Sequence, residues 1–277
     1  MPEDHMLSLR NVRLLYNRGK VDEVIALDGL DLDAAPGEFI TVVGSNGAGK
    51  SSTVQIISGS ARPTEGRVFM DGRDVGNWPD YRRARMVARV FDDPRIGSVP
   101  ELSIEDNFAL AASRGRRRGL RFALGHHRRA RFRDRIAHLG LGLENRLHDR
   151  VGLLSAGQRQ SLTVVMAGLV APKILLLDEH LAALDPATAS RVLTLTGELV
   201  AEMGCTTLMV THNMDHAITT GDRLIVMSRG RIVSDVAGAA KARLTPQGVV
   251  TLITSAGDAV SDRLLLQDIA VPEGNPS

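Results

Sequence analysis

Hydrophobic and polar positions follow two different patterns along this chain of 277 residues. Near the N-terminus they alternate with the two-residue period of strands that are buried on one face. Further on, short apolar runs typical of strands buried on both faces are separated by helix-length segments. The predicted strands are Leu7–Val12, Val24–Leu27, Leu30–Asp33, Phe39–Val43, Arg67–Gly72 with its closing tight turn, Met86–Phe91, Ile174–Asp178, Thr206–Thr211, Arg223–Met227 and Arg231–Val233. A turn is predicted at Asp28–Gly29, between the second and third of these strands. The predicted helices are Lys50–Ser58, Ser161–Val170, Pro186–Met203 and Met214–Thr220.

The order of these elements predicts an α/β domain with an insertion. Alternation of strands and helices indicates a parallel sheet with helices on both faces. Strand signals disappear between about Asp93 and Gly152, where helical patterns and basic loops replace them. We therefore divide the chain into an N-terminal β part with the first half of the core (1–92), an inserted helical subdomain (93–160), the rest of the core (161–244) and a C-terminal tail (245–277). Within the tail, Ala259–Ile269 is amphipathic.

Composition limits the compartment in which this protein works. Cys205 is the only cysteine, which excludes an intramolecular disulfide and is typical of a reducing compartment. No apolar run approaches the ~18–20 residues that a bilayer-spanning helix needs. The acidic start at Met1–His5 lacks the apolar run of a signal peptide. We expect a soluble chain that reaches a membrane only through a partner.

Positive charge is concentrated between Ser113 and Arg135, a segment that contains ten arginines and one aspartate. Such a segment is compatible with a solvated helical face, with a surface near an anionic membrane, or with a nucleic-acid patch. Few aromatic residues lie among the arginines, so base stacking is not indicated and we expect no nucleic-acid partner.

A glycine-rich segment directly follows the buried strand Phe39–Val43 and precedes a helix. Glycine lets the backbone approach phosphate oxygens, and the N-terminus of the following helix favours negative charge. The segment predicts a phosphate-binding loop in which Lys50 reaches the β- and γ-phosphates and the Ser51 hydroxyl binds Mg²⁺. Its predicted ATP-binding residues are Gly44, Ser45, Asn46, Gly47, Ala48, Gly49, Lys50, Ser51 and Ser52.

Polar side chains also follow two later apolar strands. Asp178 ends one strand and Glu179 comes next, so both belong at the edge of the sheet where the phosphate loop lies. We expect Asp178 to bind Mg²⁺ and Glu179 to polarise the attacking water. His212 follows the strand Thr206–Thr211 and would reach the same edge, where a histidine can contact the γ-phosphate.

Together with Leu154–Gln158, these motifs resemble the ATP-binding subunits of ABC transporters over about Leu7 to Arg243. The resemblance implies an α/β fold with a phosphate-loop NTPase core and parallel sheet, an N-terminal antiparallel β part and an inserted helical subdomain. It also implies that Tyr16 stacks on adenine and that the loop Ala182–Asp185 links two sites. Leu154–Gln158 resembles the signature segment of the family, which would contact ATP held by the opposite subunit of a dimer. Its predicted ATP-binding residues are Ser155, Ala156, Gly157 and Gln158.

Three positions depart from the family pattern. Ala156 replaces a glycine of the signature, which requires a helical backbone at that residue. Asp92 stands where the family has a glutamine that reaches Mg²⁺ and the attacking water; aspartate can bind Mg²⁺ but is shorter and charged. His180 stands where proline is common, and we expect no catalytic role for it.

The resemblance implies a function as well as a fold. The hydrolytic residues Lys50, Asp178, Glu179 and His212 are all present, which favours a homodimer with two working ATP sites, each using Mg²⁺. The segment Val90–Ala111 is similar to bacterial importer ATPases, and nearest to a group thought to carry amino acids. We therefore expect a subunit that energises uptake of a small solute, bound to permease subunits at the cytoplasmic face of the inner membrane and served by a solute-binding protein. Two alternatives remain open: an exporter ATPase with a separate permease, or a soluble ABC ATPase.

Overall fold

The computed structural model describes residues 4–115 and 126–255. Its strands are β1 (Leu7–Tyr16), β2 (Val24–Ala34), β3 (Phe39–Gly44), β4 (Glu65–Met70), β5 (Arg73–Asp74), β6 (Val87–Val90), β7 (Ile174–Asp178), β8 (Thr206–Val210), β9 (Arg223–Ser228) and β10 (Arg231–Ala237). Its α-helices are α1 (Lys50–Ser58), α2 (Asp80–Arg83), α3 (Ile104–Ala112), α4 (His126–Ala137), α5 (Ala156–Gly168), α6 (Pro186–Met203), α7 (Met214–Thr219), α8 (Gly238–Lys241) and α9 (Pro246–Ser255).

The described residues form two compact units. Unit 1 contains those up to Ile57, the segment Ala61–Gly76 and those from Leu208 onward. Unit 2 contains Ser58–Ser60 and the described part of Asn77–Thr207. The boundary therefore falls inside α1 and inside β8, and each unit is described by itself below.

The N-terminal sheet of unit 1 has the strand order β2-β1-β4-β5 and is antiparallel throughout. The turn predicted at Asp28–Gly29 was wrong, because β2 runs without a break through both residues. The register between β1 and β2 shifts on either side of Val12, and both Asn11 and Gly29 have positive φ angles. A β-bulge thus explains the glycine, since a bulge uses the left-handed conformation that a turn also requires.

The second sheet places β3 at the centre of unit 1, in the order β10-β9-β3-β8. β3 is parallel to β9, as the continuous apolar run predicted, and all its residues are buried. The apolar face is covered by α7 and α9, whose buried residues Met214, Ala217, Val249 and Ile253 pack with Val43, Leu224 and Val226. Helix α9 was not predicted from the sequence, and its residues fall in the predicted C-terminal tail.

Unit 2 combines the parallel pair β6 and β7 with a helical core. Helices α3 and α4 both lie in the region where strand signals vanish. Phe108 of α3 and Phe132 of α4 meet edge to face, with ring centroids 5.4 Å apart. The core also includes Ile104, Ile136, Leu143, Leu147, Val151, Leu154, Leu162, Val165 and Met166, which join α3 and α4 to α5.

Capping side chains set the starts of α5 and α6. The predicted start of α5 at Ser161 was wrong, because the helix begins at Ala156 behind the N-cap Ser155. Ser155 Oγ accepts a hydrogen bond from the Gln158 backbone N–H, and Gln158 Oε1 accepts one from the Ser155 N–H. This capping box satisfies two N–H donors at the helix start. The predicted bounds of α6 are confirmed, with Asp185 as N-cap and Gly204 as left-handed C-cap.

Two sequence-based predictions concern residues beyond this description. The amphipathic stretch Ala259–Ile269 and part of the arginine-rich segment lie outside the described residues. Within that segment, Arg129 is paired with the buried Glu105, and Arg135 is paired with Glu202 of α6. Across residues 4–115 and 126–255, no helix has the length and apolar character that crossing a membrane would require.

Candidate functional site

The phosphate loop of unit 1 is packed so closely that two of its glycines leave no room for a side chain. A Cβ atom at Gly44 would lie 2.3 Å from the Met227 carbonyl oxygen. Gly49 has a φ of +100°, and its Cβ would lie 2.8 Å from the carbonyl oxygen of Ala26. These two positions therefore require glycine for steric as well as conformational reasons.

Backbone hydrogen bonds anchor the loop to the strands around it. The Gly230 N–H, in the turn between β9 and β10, donates to the Ala48 carbonyl at 2.9 Å. The Gly230 carbonyl in turn accepts from the Asp28 N–H of β2 at 3.0 Å. The loop thus has a fixed shape, which is what a set of converging N–H donors needs in order to bind an anion.

Lys50 is the buried cation of this loop, with 6% of its surface exposed. Its Nζ donates to the carbonyls of Gly44 at 2.7 Å and Ser45 at 3.0 Å. Lys50 is also the first residue of α1, so its charge and the positive end of the helix lie together. Ser51 is exposed and can offer its hydroxyl to a ligand. This donor set fits a phosphate-bearing anion.

Two further predicted residues of unit 1 are linked to β3 and α1, the strand and helix on either side of the loop. Tyr16 ends β1, and its hydroxyl donates to Gln55 Oε1 of α1 at 2.8 Å, while the residue remains 39% exposed. His212 directly follows Thr211, whose N–H donates to the Val42 carbonyl of β3 at 3.1 Å. Since β3 leads into the phosphate loop, the end of β8 and the loop share one edge of the sheet, as the sequence predicted.

In unit 2, Asp178 is the last residue of β7 and is buried. Arg89 of β6 donates from Nη2 to Asp178 Oδ2 at 2.6 Å. Burial raises the pKa of Asp178, the hydrogen bond and charge of Arg89 oppose that rise, and the negative charges of Glu179 and Asp92 add to it. Three carboxylates and one arginine therefore act on each other here. Arg89 was not predicted as a site residue, although a charged residue inside an apolar strand indicates a buried polar contact.

Glu179 leaves the strand in a left-handed conformation, with φ +47°. Its carbonyl accepts from the Ala182 N–H at 3.0 Å, so a tight turn starts at this residue. The next residue, His180, is 2% exposed, and its Nε2 lies 3.4 Å from Thr196 Oγ1 of α6. His180 therefore points into the protein, and it connects the turn to α6.

The signature residues form the first turn of α5. Ser155 and Ala156 are exposed, and Ala156 has the helical backbone that the sequence analysis required of an alanine there. Gly157 lies against α6, where an added Cβ would be 2.3 Å from Thr188 Cγ2. A cavity of about 610 Å³ in this unit is lined by Asp92, Asp93, Pro94, Arg95, Ala156, Arg159, Ala182 and Ala183. Asp92, Ala156 of the signature and two residues of the loop after Glu179 thus line the same cavity.

Magnesium was predicted at Ser51, Asp92 and Asp178. In the part of the chain that the structure describes, no three or more His, Cys, Asp or Glu side chains come together as a metal cluster. Mg²⁺ at nucleotide sites uses one or two protein oxygens together with phosphate oxygens, so it needs no such cluster. The Ser51 hydroxyl and the Asp178 carboxylate are oxygen donors of the kind that Mg²⁺ prefers.

Comparison with known proteins assigns the family. Residues 27–182 match the profile of the family described as ABC transporter, which is more than half of the chain. The chain belongs to this family. A tyrosine transport ATP-binding protein of Clostridioides difficile (strain R20291) is 38% identical over 245 residues, covering 88% of this chain and 97% of that relative. The methionine import ATP-binding protein MetN of Corynebacterium efficiens is 30% identical, covering 94% and 72% of the two chains.

Solved structures of ABC cassettes share the fold. The dimeric ATP-binding cassette MJ0796, in a post-hydrolysis state bound to ADP and Pi, superposes with a TM-score of 0.73. It is 29% identical, covering 84% of this chain and 98% of that structure. The sequence-based predictions of an ABC ATPase and of its mixed α/β fold, with antiparallel and parallel sheets, are confirmed. The chain is therefore an ATP-binding, ATP-hydrolysing protein of the ABC transporter family.

Proposed function

We propose that this chain is the ATP-hydrolysing subunit of a membrane importer for an amino acid or a similar small solute. The observation that carries the proposal is a complete set of hydrolytic residues, Lys50, Asp178, Glu179 and His212, in a chain that is similar over 88% of its length to a tyrosine transport ATP-binding protein. Other relatives with printed import functions include a phosphonates import ATP-binding protein, at 33% identity. Their range of solutes supports uptake more strongly than it supports any one solute.

Each residue has a role that its local structure allows. The Lys50 ammonium group is held inside the loop by two backbone carbonyls. When ATP binds, it donates to β- and γ-phosphate oxygens instead. Ser51 and Asp178 are the proposed Mg²⁺ ligands, and the ion would neutralise charge on the phosphates. Glu179 orients and polarises the attacking water, and His212 contacts the γ-phosphate. Tyr16 offers its exposed ring to adenine.

The signature segment supports a dimer of this chain. Ser155 and the backbone N–H of Gly157 lie at the start of α5, where N–H donors and the helix dipole favour an anion. We assign these donors to the γ-phosphate of ATP held by a second copy. The dimer would bind permease subunits from the cytoplasmic side of the membrane, and a solute-binding protein would deliver the solute. Asp92 would be a further Mg²⁺ ligand.

The chemistry is tested by phosphate release from the purified chain and from the Glu179→Gln variant. We expect the variant to bind ATP, to lose nearly all turnover and to elute as a dimer when ATP is present. The matched control is Glu198→Gln, which changes an exposed carboxylate on α6 in the same way. A Glu179→Gln protein that hydrolyses ATP at the normal rate would refute the role of Glu179.

The transport assignment needs a separate experiment. The tagged chain is recovered from detergent-solubilised native membranes, and the proteins that accompany it are identified by mass spectrometry. We expect a stoichiometric multi-span permease without an ATP site of its own. Recovery from the soluble fraction only, with ribosomal or DNA-bound partners, would contradict the transporter assignment and favour a soluble ABC ATPase.

A further inference from the structure

Asp178 carries an ion pair that its proposed role with Mg²⁺ does not require. Arg89 reaches it from the neighbouring strand, at 2.6 Å between Nη2 and Oδ2. The two side chains are 18% and 9% exposed, so water screens this pair less than it would screen a pair on the surface. The guanidinium therefore binds a carboxylate oxygen that a metal would also seek.

Arg89 is held in place independently of Asp178. Its guanidinium carbon lies 4.5 Å from the ring centroid of Phe91, the residue that directly follows β6. The Phe91 carbonyl accepts from the buried Gln160 side chain of α5 at 3.0 Å, which fixes the end of the strand. Because the ring keeps the guanidinium nearby, the arginine can give up the carboxylate without losing every favourable contact.

Space is available next to the arginine. A cavity of about 250 Å³ in unit 2 is lined by Arg89 together with Ile96, Ser98, Asn107, Thr163 and Met166. The arginine Nε is buried and makes no hydrogen bond. The Arg89 guanidinium is held by one carboxylate and one aromatic ring, and it lies beside a cavity. It can therefore change its position without unfolding the strand.

We propose that Arg89 is a positioning residue that holds the Asp178 carboxylate when no metal is bound and competes with Mg²⁺ for it. This inference rests on the proposed function, because it takes Asp178 as a metal ligand. A guanidinium on one carboxylate oxygen withdraws negative charge from the group and repels a divalent cation at the other oxygen. In return it offsets the mutual repulsion of Asp178, Glu179 and Asp92. Arg89 thus makes Asp178 bind Mg²⁺ less tightly.

The test is the ratio of ATP affinity with Mg²⁺ to ATP affinity in EDTA, measured by anisotropy of a fluorescent ATP analogue. All proteins carry Glu179→Gln, so that hydrolysis does not enter the measurement. We expect Arg89→Met to raise the ratio about three- to tenfold, the size expected for removal of one partly screened charge pair. Arg89→Lys keeps the charge but loses the planar fork, and its ratio should fall between those of the parent and Arg89→Met.

Two controls separate this inference from the proposal beneath it. Arg135→Met removes the same charge from an exposed arginine that pairs with Glu202 of α6, and it should leave the ratio unchanged. Asp178→Asn should lower the ratio towards one; if it does not, the assignment of Asp178 to Mg²⁺ is wrong. If Asp178→Asn lowers the ratio while Arg89→Met leaves it unchanged or lowers it, the competition proposed for Arg89 is refuted and the metal assignment stands.

Discussion

Gly157 and Thr188 offer a test of how tightly α5 packs against α6. A methyl carbon added at Gly157 would lie 2.3 Å from Thr188 Cγ2, while the Cβ and Oγ1 atoms of Thr188 would be 3.6 and 3.7 Å away. Favourable contacts between carbon atoms lie at about 3.5–4.0 Å. The Gly157→Ala variant is therefore overpacked at a single methyl group, and Thr188→Ser should relieve the clash.

The expected magnitude follows from two opposing effects on the free energy of unfolding. Alanine in place of a helical glycine stabilises by about 0.5–1 kcal/mol, whereas overpacking costs about 1–3 kcal/mol. Gly157→Ala should thus lose roughly 1–2 kcal/mol. Thr188→Ser alone should lose up to about 0.8 kcal/mol, for one methyl group. It keeps the backbone N–H that donates to Asp185 Oδ1. The double variant should return close to the parent.

Urea denaturation of the four proteins, followed by circular dichroism without nucleotide, completes a double-mutant cycle. We expect an interaction energy of about 1–3 kcal/mol that favours the double variant. The matched control is Gly197→Ala in the middle of α6, where an added Cβ meets nothing within 4 Å and should stabilise the helix. If Gly157→Ala is as stable as the parent, or if Thr188→Ser fails to restore its stability, the packing argument is wrong.

Two further predictions concern the loop and the single thiol. Gly49→Ala should abolish ATP binding and lower the free energy of unfolding by roughly 3 kcal/mol. The reason is an unfavourable positive φ combined with a Cβ atom only 2.8 Å from the Ala26 carbonyl oxygen. Nucleotide titration measures the first effect and urea denaturation the second. Burial raises the pKa of the Cys205 thiol, and the residue is 3% exposed. It should therefore react slowly with a disulfide reagent in the folded protein and rapidly in urea, and equal rates would contradict its burial.

Much of the fold could be predicted because the motifs lie at the ends of strongly apolar segments. The bounds of β7 and α6 agree with the sequence prediction, since an uninterrupted apolar run and a proline at the first helical position leave little choice. The start of α5 was missed because the residues before Ser161 are polar or small, so the apolar period begins later than the helix. Only the reciprocal bonds between Ser155 and Gln158 reveal the true start.

Two features could not be predicted because the local sequence is compatible with more than one structure. Gly29 was taken as part of a turn because turns and bulges both use positive φ angles, and the pairing of β1 with β2 decides between them. The partner of Arg89 could not be predicted from sequence, since Asp178 lies far along the chain and meets it only through the register of β6 with β7.

Polar side chains that are buried or partly buried in unit 2 position the carboxylates of this unit, which the sequence alone did not reveal. A buried polar group is costly unless it finds a partner, so each such residue points to a specific contact. Arg89 donates a hydrogen bond to Asp178, and His180 contacts Thr196 of α6. Gln160 of α5 donates a hydrogen bond to the backbone carbonyl of the residue that follows β6. These contacts fix both β6 and the turn after β7, so the carboxylates at this end of the sheet are positioned by neighbouring elements before any ligand arrives. A substitution at one of these polar residues should therefore change metal and nucleotide binding even though it touches neither ligand.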